Sequence, residues 1–317
     1  KHREMKKNTF FMTSNIGGGS GTVSRLFRYL PQFNDLVHKN IGILFNYHYL
    51  SFFNYAGLHK TKRMIFDKSK LEYLCSSSID FYDFIKILSG RESHEEQISD
   101  FPVLLDSGAG KILADSIMYY DLDYHSSKDL IFNLSEPLIK FAINKNSKYV
   151  IAMDYCYKNT YKNSEGKSEQ YKSIIRKLSS DTILQNELLH NSMDIYSKYK
   201  SNMKLLAPIH GTDENSFINH YESIISLENR TSKKFDGFAL GGLSIFRDTY
   251  GKQISSLIKK IRALGEDRHI HILGSAGIKK IIPMILAGAD SFDCHTPWRR
   301  ANEDYEIMIP LLFNDKR

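Results

Sequence analysis

Residues 203–242, MKLLAPIHGTDENSFINHYESIISLENRTSKKFDGFALGG, contain one full period of the alternation that decides the fold. A short apolar run over 203–208 stops at His210, helical spacing follows over 214–227, and a second run over 236–240 stops at Gly241 and Gly242. Runs this short and this rich in Val, Ile and Leu read as strands buried on both faces of a parallel sheet. The pattern extends in both directions. Downstream it predicts a helix over 250–264, a strand over 269–273 ending at Gly274, a helix over 278–287 and a strand over 289–293 ending at Asp293. Upstream, FPVLLD stops at Asp106 and YVIAMD stops at Asp154. NTFFMTSN and NIGILFNYHYL predict two more strands, 64–100 a helical excursion, GAGKILADSIMYY a loop and helix, and 170–199 one long helix. LIFNLSEPLIKFAI is helical in period, with a break or restart expected at Pro137. Seven or eight such units with right-handed crossovers predict α/β architecture: a single (β/α)8 barrel over residues 1–317.

Composition agrees. With 317 residues, 42% hydrophobic and 25% charged, the chain can bury the core of a barrel of roughly 250 residues with insertions. Forty-three Lys and Arg against 36 Asp and Glu leave +7, an excess that suits an acidic partner such as nucleic acid. Cys75, Cys156 and Cys294 are odd in number and far apart, so they form neither a disulfide framework nor a CxxC metal site. No stretch has the apolar length of a membrane span, and KHREMKK at the start lacks an apolar signal core. A cytoplasmic protein is expected. The glycine cluster Gly17–Gly19, followed by Ser20 and Thr22, lacks the Walker lysine and the dinucleotide spacing, and reads as a loop capping a helix.

Acid, histidine and glycine at the C-terminal ends of barrel strands occupy the rim where such barrels place their chemistry. A carboxylate just past a buried strand is costly to desolvate unless it is paired or working. Asp293 could serve as nucleophile, base or metal ligand, or could anchor its turn through Arg299 or Arg300. Asp106 opens DSGAG, where small residues admit a close neighbour; it could exchange a proton or cap the next helix. Asp154 could accept two hydrogen bonds from the donor edge of a guanine-like base, or cap its loop. A divalent metal held by these acids with His210 and His295 is the chemical rival, although no HExxH spacing occurs. Gly241, Gly242 and Gly274 instead suggest backbone approaching a flat ligand. The polar insertion near 155–172 mixes Tyr155, Tyr157, Tyr161 and Tyr171 with Lys158, Lys162, Lys167 and Lys172, a composition that can stack bases and neutralise phosphates or simply be solvated.

These pieces resemble the guanine transglycosylases, enzymes that exchange a guanine in tRNA or DNA for a 7-deazaguanine. The matching segments run in family order: FNYHYL (45–50), LLDSG (104–108), VIAMDYC (150–156), APIHG (207–211), FDGFALGGLS (235–244), ILGSAG (272–277) and FDCHTPWRRA (292–301). The resemblance implies a (β/α)8 barrel in which Asp293 attacks the ribose C1′ and Asp106 is the general acid and base. Asp154 would recognise the base with Gly241, Gly242 and His210, and Ser107, Cys156 and Gly274 would join that pocket. Lys158, Lys162, Lys167, Lys172, Arg299 and Arg300 would hold the nucleic acid. No cofactor is implied.

The chain departs from the family pattern in four places. His210 stands where glutamine is common, Ala109 and Lys111 replace DSGGFQ-like residues of the pocket wall, and Ser275–Ala276 reshape a glycine-rich turn. The structural zinc subdomain of three cysteines and a histidine, usual after the nucleophile in tRNA-acting members, has no counterpart beyond Cys294. With Trp298 in the P-x-R turn, this favours the DNA-acting branch over tRNA, a 7-deazaguanine such as preQ0 as incoming base, and a partner subunit as a source of substrate-holding surface. A base-removing N-glycoside hydrolase, a metal-dependent barrel hydrolase and an inactive binding module are the other classes.

Overall fold

The structure is a computed structural model that describes residues 9–14, 41–48, 73, 75–89, 102–156, 167–199, 201–243, 246, 250–275 and 277–294. Eight strands pair in parallel and in chain order: β1 (Thr9–Ser14), β2 (Ile41–Asn46), β3 (Val103–Asp106), β4 (Tyr149–Ile151), β5 (Lys204–Ile209), β6 (Gly237–Leu240), β7 (His269–Ile272) and β8 (Ser291–Cys294). β1 closes on β8 with Thr9 opposite Ser291 and Phe11 opposite Asp293. The described helices are α1 (Phe81–Ser89), α2 (Ala109–Tyr120), α3 (Tyr124–Asn144), α4 (Lys167–Ser180), α5 (Thr182–Ser197), α6 (Glu214–Thr231), α7 (Lys252–Ala263) and α8 (Ile278–Ala287). The alternation in the sequence is therefore a closed (β/α)8 barrel, and no described helix is long and apolar enough to cross a membrane.

Side chains of successive strand residues point to opposite faces, so each strand serves two cores. Phe11, Leu44, Leu104, Tyr149, Ile151, Leu206 and Ala239 fill the barrel interior. Their neighbours, among them Ile43, Phe45, Leu105, Val150, Leu205, Phe238 and Ile270, meet the helices in a larger outer core. Phe11 fits inside because β2 carries glycine beside it: a Cβ on Gly42 would lie 2.5 Å from the Phe11 ring. Each fully buried Leu, Ile or Phe contributes about 1.5–3 kcal/mol. The outer core thus outweighs any single polar contact.

Two expectations about helices are corrected. α3 runs unbroken through Pro137, because Leu130, Ile131 and Leu134 before it and Leu138, Ile139, Phe141 and Ala142 after it are buried on one continuous face. That packing outweighs the one backbone bond proline forgoes. The segment 170–199 is two helices, since the Asp181 side chain accepts from Leu184 N at 3.0 Å and starts α5 anew. β8 likewise begins at Ser291. Asp290, just before it, accepts from Arg262 Nη2 at 2.6 Å and from Ile270 N at 2.8 Å.

At the end of the barrel opposite the strand C-termini, Arg268 bridges Glu228 and Glu266 at 2.7 Å each and donates to the Phe235 carbonyl at 3.0 Å. Burial alone would raise the Glu266 carboxyl, but hydrogen bonds and charge from Arg268 hold it below its ordinary value. Its stabilising contribution is present above the ordinary carboxylate range and is lost as acid protonates it. Arg268→Met leaves two carboxylates, each side chain 3% exposed, without their cation. The expected loss is about 3–5 kcal/mol, measured as a lower urea midpoint at pH 7; an unchanged midpoint would show that the network is not holding this end closed.

Candidate active site at the C-terminal mouth

Parallel strands in one closed sheet deliver all their C-terminal ends to a single mouth. The period of two then stacks polar residues above the interior apolar layer: Asn46 two residues past Leu44, Asp106 past Leu104, Asp293 past Ser291. Asn46 stands opposite Asp106 in the β2–β3 ladder, and its amide nitrogen donates to Asp106 Oδ2 at 2.7 Å. The Asn46 amide cannot turn around, because its oxygen accepts from His48 N at 3.1 Å and lies 2.7 Å from His48 Nδ1. Gly108 N donates to the other oxygen of Asp106 at 3.3 Å. A Cβ on Gly108, whose φ is +64°, would fall 2.0 Å from Asn46 Oδ1. The close neighbour that DSGAG admits is thus Asn46. Asp106 does not cap α2, whose first residue follows Gly108 without a side-chain cap.

Asp154 follows β4 and is 7% exposed. His210 follows β5, with Nδ1 3.2 Å from Asp154 Oδ2, close but not aligned as a hydrogen bond. Behind it, His220 of α6 packs edge-on against the His210 ring, centroids 4.7 Å apart, with Nδ1 3.3 Å from His210 N and 3.2 Å from His210 O. Gly242, at φ +69°, lies beside His210, and Gly241 donates its N–H to Ile209 O at 2.9 Å. Ser107 is buried and accepts from Ala109 N at 3.4 Å, while Cys156 is half-buried.

Asp293 is 4% exposed, and its Oδ1 accepts from Gly274 N at 2.8 Å and lies 3.3 Å from His271 Nε2. Gly274 therefore directs its amide at a carboxylate. His271, which is completely buried, continues inward: its Nδ1 lies 2.7 Å from Ser291 Oγ, which lies 2.7 Å from His269 Nε2. The two histidines went unread in the sequence. Their signal was HIHIL, where spacing by two inside a buried strand puts both rings on the interior face.

The other expected residues fall as follows. Ala109 is buried in the helix–strand layer and Lys111 pairs along α2 with Asp115 at 2.5 Å. The insertion ends earlier than 172: α4 begins at Lys167, Lys172 pairs with Glu169 at 2.6 Å, and Tyr155 and Tyr171 are core residues, not stacking platforms. Tyr155 donates its hydroxyl to Lys128 O at 3.1 Å. Lys158, Lys162, Tyr157, Tyr161, His295, Trp298, Arg299 and Arg300 lie outside the described residues, as does the 17–19 glycine cluster. Among the described residues no three His, Cys, Asp or Glu side chains converge on a metal-sized site.

Two histidines here are held neutral. Burial, then the neighbouring His210, pushes His220 down to about 3. Burial, then His271, pushes His269 down to about 2. The unfolded chain binds these protons near 6.5 and the folded chain resists them, so their contribution is full above that pH and lost below it. The urea midpoint should fall as pH drops from 6.5 to 4, and His220→Gln should make that fall shallower. An equally steep fall in the variant would remove His220 from the account.

With this geometry in place, comparison with known proteins is specific. Residues 100–308, more than half of the chain, match the family described as queuine tRNA-ribosyltransferase. Two relatives bearing that name, from Blochmanniella floridana and Blochmanniella pennsylvanica (strain BPEN), are 24% identical over 220 residues and 22% identical over 213 residues. Each alignment covers 64% of this chain and 51% or 52% of the relative, so the chain spans about half the length of the curated relatives it matches. The matched segment holds Asp106, Asp154, His210 and Asp293, the side chains that meet at the mouth, and the chain belongs to the queuine tRNA-ribosyltransferase family.

Proposed function

We propose that this chain is a pentosyltransferase that exchanges a guanine in nucleic acid for a 7-deazaguanine base. The observation that carries the reading is three carboxylates, Asp106, Asp154 and Asp293, at one barrel mouth, each buried or half-buried and each placed by a different strand. Asp293 forms a bond from a carboxylate oxygen to the sugar C1′ as the bond from C1′ to the guanine nitrogen breaks. Asp106 gives its proton to the departing base, takes one from the incoming base, and the new glycosidic bond releases Asp293. Asn46 supports this double duty, since a neutral amide donor follows Asp106 through both charge states. Asp154, with His210 beside it, accepts from the donor edge of the base. His210 in place of an amide side chain alters which base edge is accepted.

The base must leave its stack to reach this mouth, which costs a few kcal/mol and is least for single-stranded or mispaired sites. The names of the relatives point to tRNA as the polymer. Trp298 in the P-x-R turn supports DNA. Incubation with labelled preQ0 and either plasmid DNA or unfractionated tRNA distinguishes them by which polymer retains label. Retention by neither, with guanine released instead, would make the protein a hydrolase.

Asp293→Asn should abolish exchange while leaving the urea midpoint near that of the parent; substantial turnover in that variant would end the covalent reading. Binding should weaken with salt, and joint replacement of Lys158, Lys162, Lys167 and Lys172 by alanine should flatten the log–log slope by about one per lost phosphate contact. An unchanged slope would move the footprint to Arg299, Arg300 or the HKTKR stretch at 59–63.

A further inference from the structure

We infer that His271, through a buried file of His269, Ser291 and His271, is the positioning residue that holds Asp293 in one orientation for attack. The assignment rests on the reading of Asp293 as the nucleophile.

The geometry leaves little choice of proton placement. Ser291 Oγ lies 2.7 Å from both His269 Nε2 and His271 Nδ1, and it has a single proton to give. An ionised carboxylate only accepts, so His271 Nε2, 3.3 Å from Asp293 Oδ1, must carry a proton. With neutral rings, one arrangement satisfies every contact. His269 Nε2–H donates to Ser291, Ser291 donates to His271 Nδ1, and His271 Nε2–H donates to Asp293. The reverse order would place a ring lone pair against the carboxylate in a buried site, where the repulsion is strongest. His269, pushed down to about 2 by burial and by His271, is the neutral start that this order needs.

Packing fixes the rings themselves. Phe11 meets His271 edge-on at 5.7 Å, and Tyr149 stacks on His269 at 4.5 Å. β7–β8 register sets His271 opposite Ser291, so the file cannot slide without shifting a whole strand. Gly274 N and His271 Nε2 engage the same oxygen, Oδ1, which they make the weaker nucleophile. The carboxylate plane is set before the sugar arrives. Donors aligned in advance of reaction contribute most when water is excluded.

The test uses the full chain and has two independent readouts. Long-range nitrogen–proton NMR should show His271 protonated on Nε2 with Nδ1 accepting a hydrogen bond, and Ser291→Ala should shift the Nδ1 resonance while Nε2 keeps its proton. In exchange assays with labelled guanine and whichever of tRNA or plasmid DNA is a substrate, His271→Leu should lower kcat on the order of 100-fold. KM for the polymer should stay unchanged. His271→Gln, whose amide reaches the Nε2 position, should restore most of that loss. A ring protonated on Nδ1 alone, or a Gln variant as slow as the Leu variant, overturns the inference. If His271→Leu does not fold, Ser291→Ala decides through the Nδ1 resonance and through a smaller fall in kcat; an unmoved Nδ1 resonance in that variant overturns the file. Failure of the underlying reading looks different: Asp293→Asn would then exchange at the parent rate while the tautomer result still stands.

Discussion

A parallel barrel exists only if its first and last strands find each other in register, and here Phe11 of β1 lies opposite Asp293 of β8. Nearly the whole length of the described chain separates the two strands, so no local preference can set that pairing. It follows from each strand twisting relative to the last until the sheet closes, with one interior layer filling the space. Gly42 is the local condition for closure at this level, since a larger residue there would displace the Phe11 ring. The mouth, the interior file and the outer helix layer all inherit their geometry from this closure.

Closure also decides where polar groups can be buried. Along each strand the interior face alternates with the face packed against helices, so an inward polar residue has its partner on the adjacent strand. Asn46 meets Asp106 across β2–β3, and His271 meets Ser291 across β7–β8 and Asp293 above it. In both cases a carboxylate at the rim is oriented by a neighbour that is itself fixed by another contact. The rim acids are thereby held by the sheet as well as by the loop amides of Gly108 and Gly274. The same rule governs the opposite end, where Arg268 and Arg262 tie acidic residues of separate elements together.

Local signals were read well where they were strong and short-ranged. The apolar runs ending at Asp106, Asp154, His210 and Asp293 are strand ends at one mouth, and the helix over 278–287 is α8 to the residue. The misses have identifiable causes. Pro137 signals a break, yet the buried face on either side of it carries the helix through. Asp181 lies inside a polar run, where its capping of a second helix has no distinct local signal. Tyr155 and Tyr171 stand among lysines in the sequence, although both rings are buried.

What the sequence determined by itself is the period: short apolar strands alternating with helices, which admits a closed parallel barrel, and polar residues at the strand ends, which marks its working face. Periodicity is a property of neighbouring residues and needs no partner to be read. What only the tertiary structure decided is who meets whom across strands. That Asn46 donates to Asp106, that His220 backs His210, and that His269, Ser291 and His271 form a file beneath Asp293 depend on register between strands distant in the chain. A slip of one residue in any of those ladders would turn the same side chains to the opposite face, and nothing in the local sequence records which register closure selects.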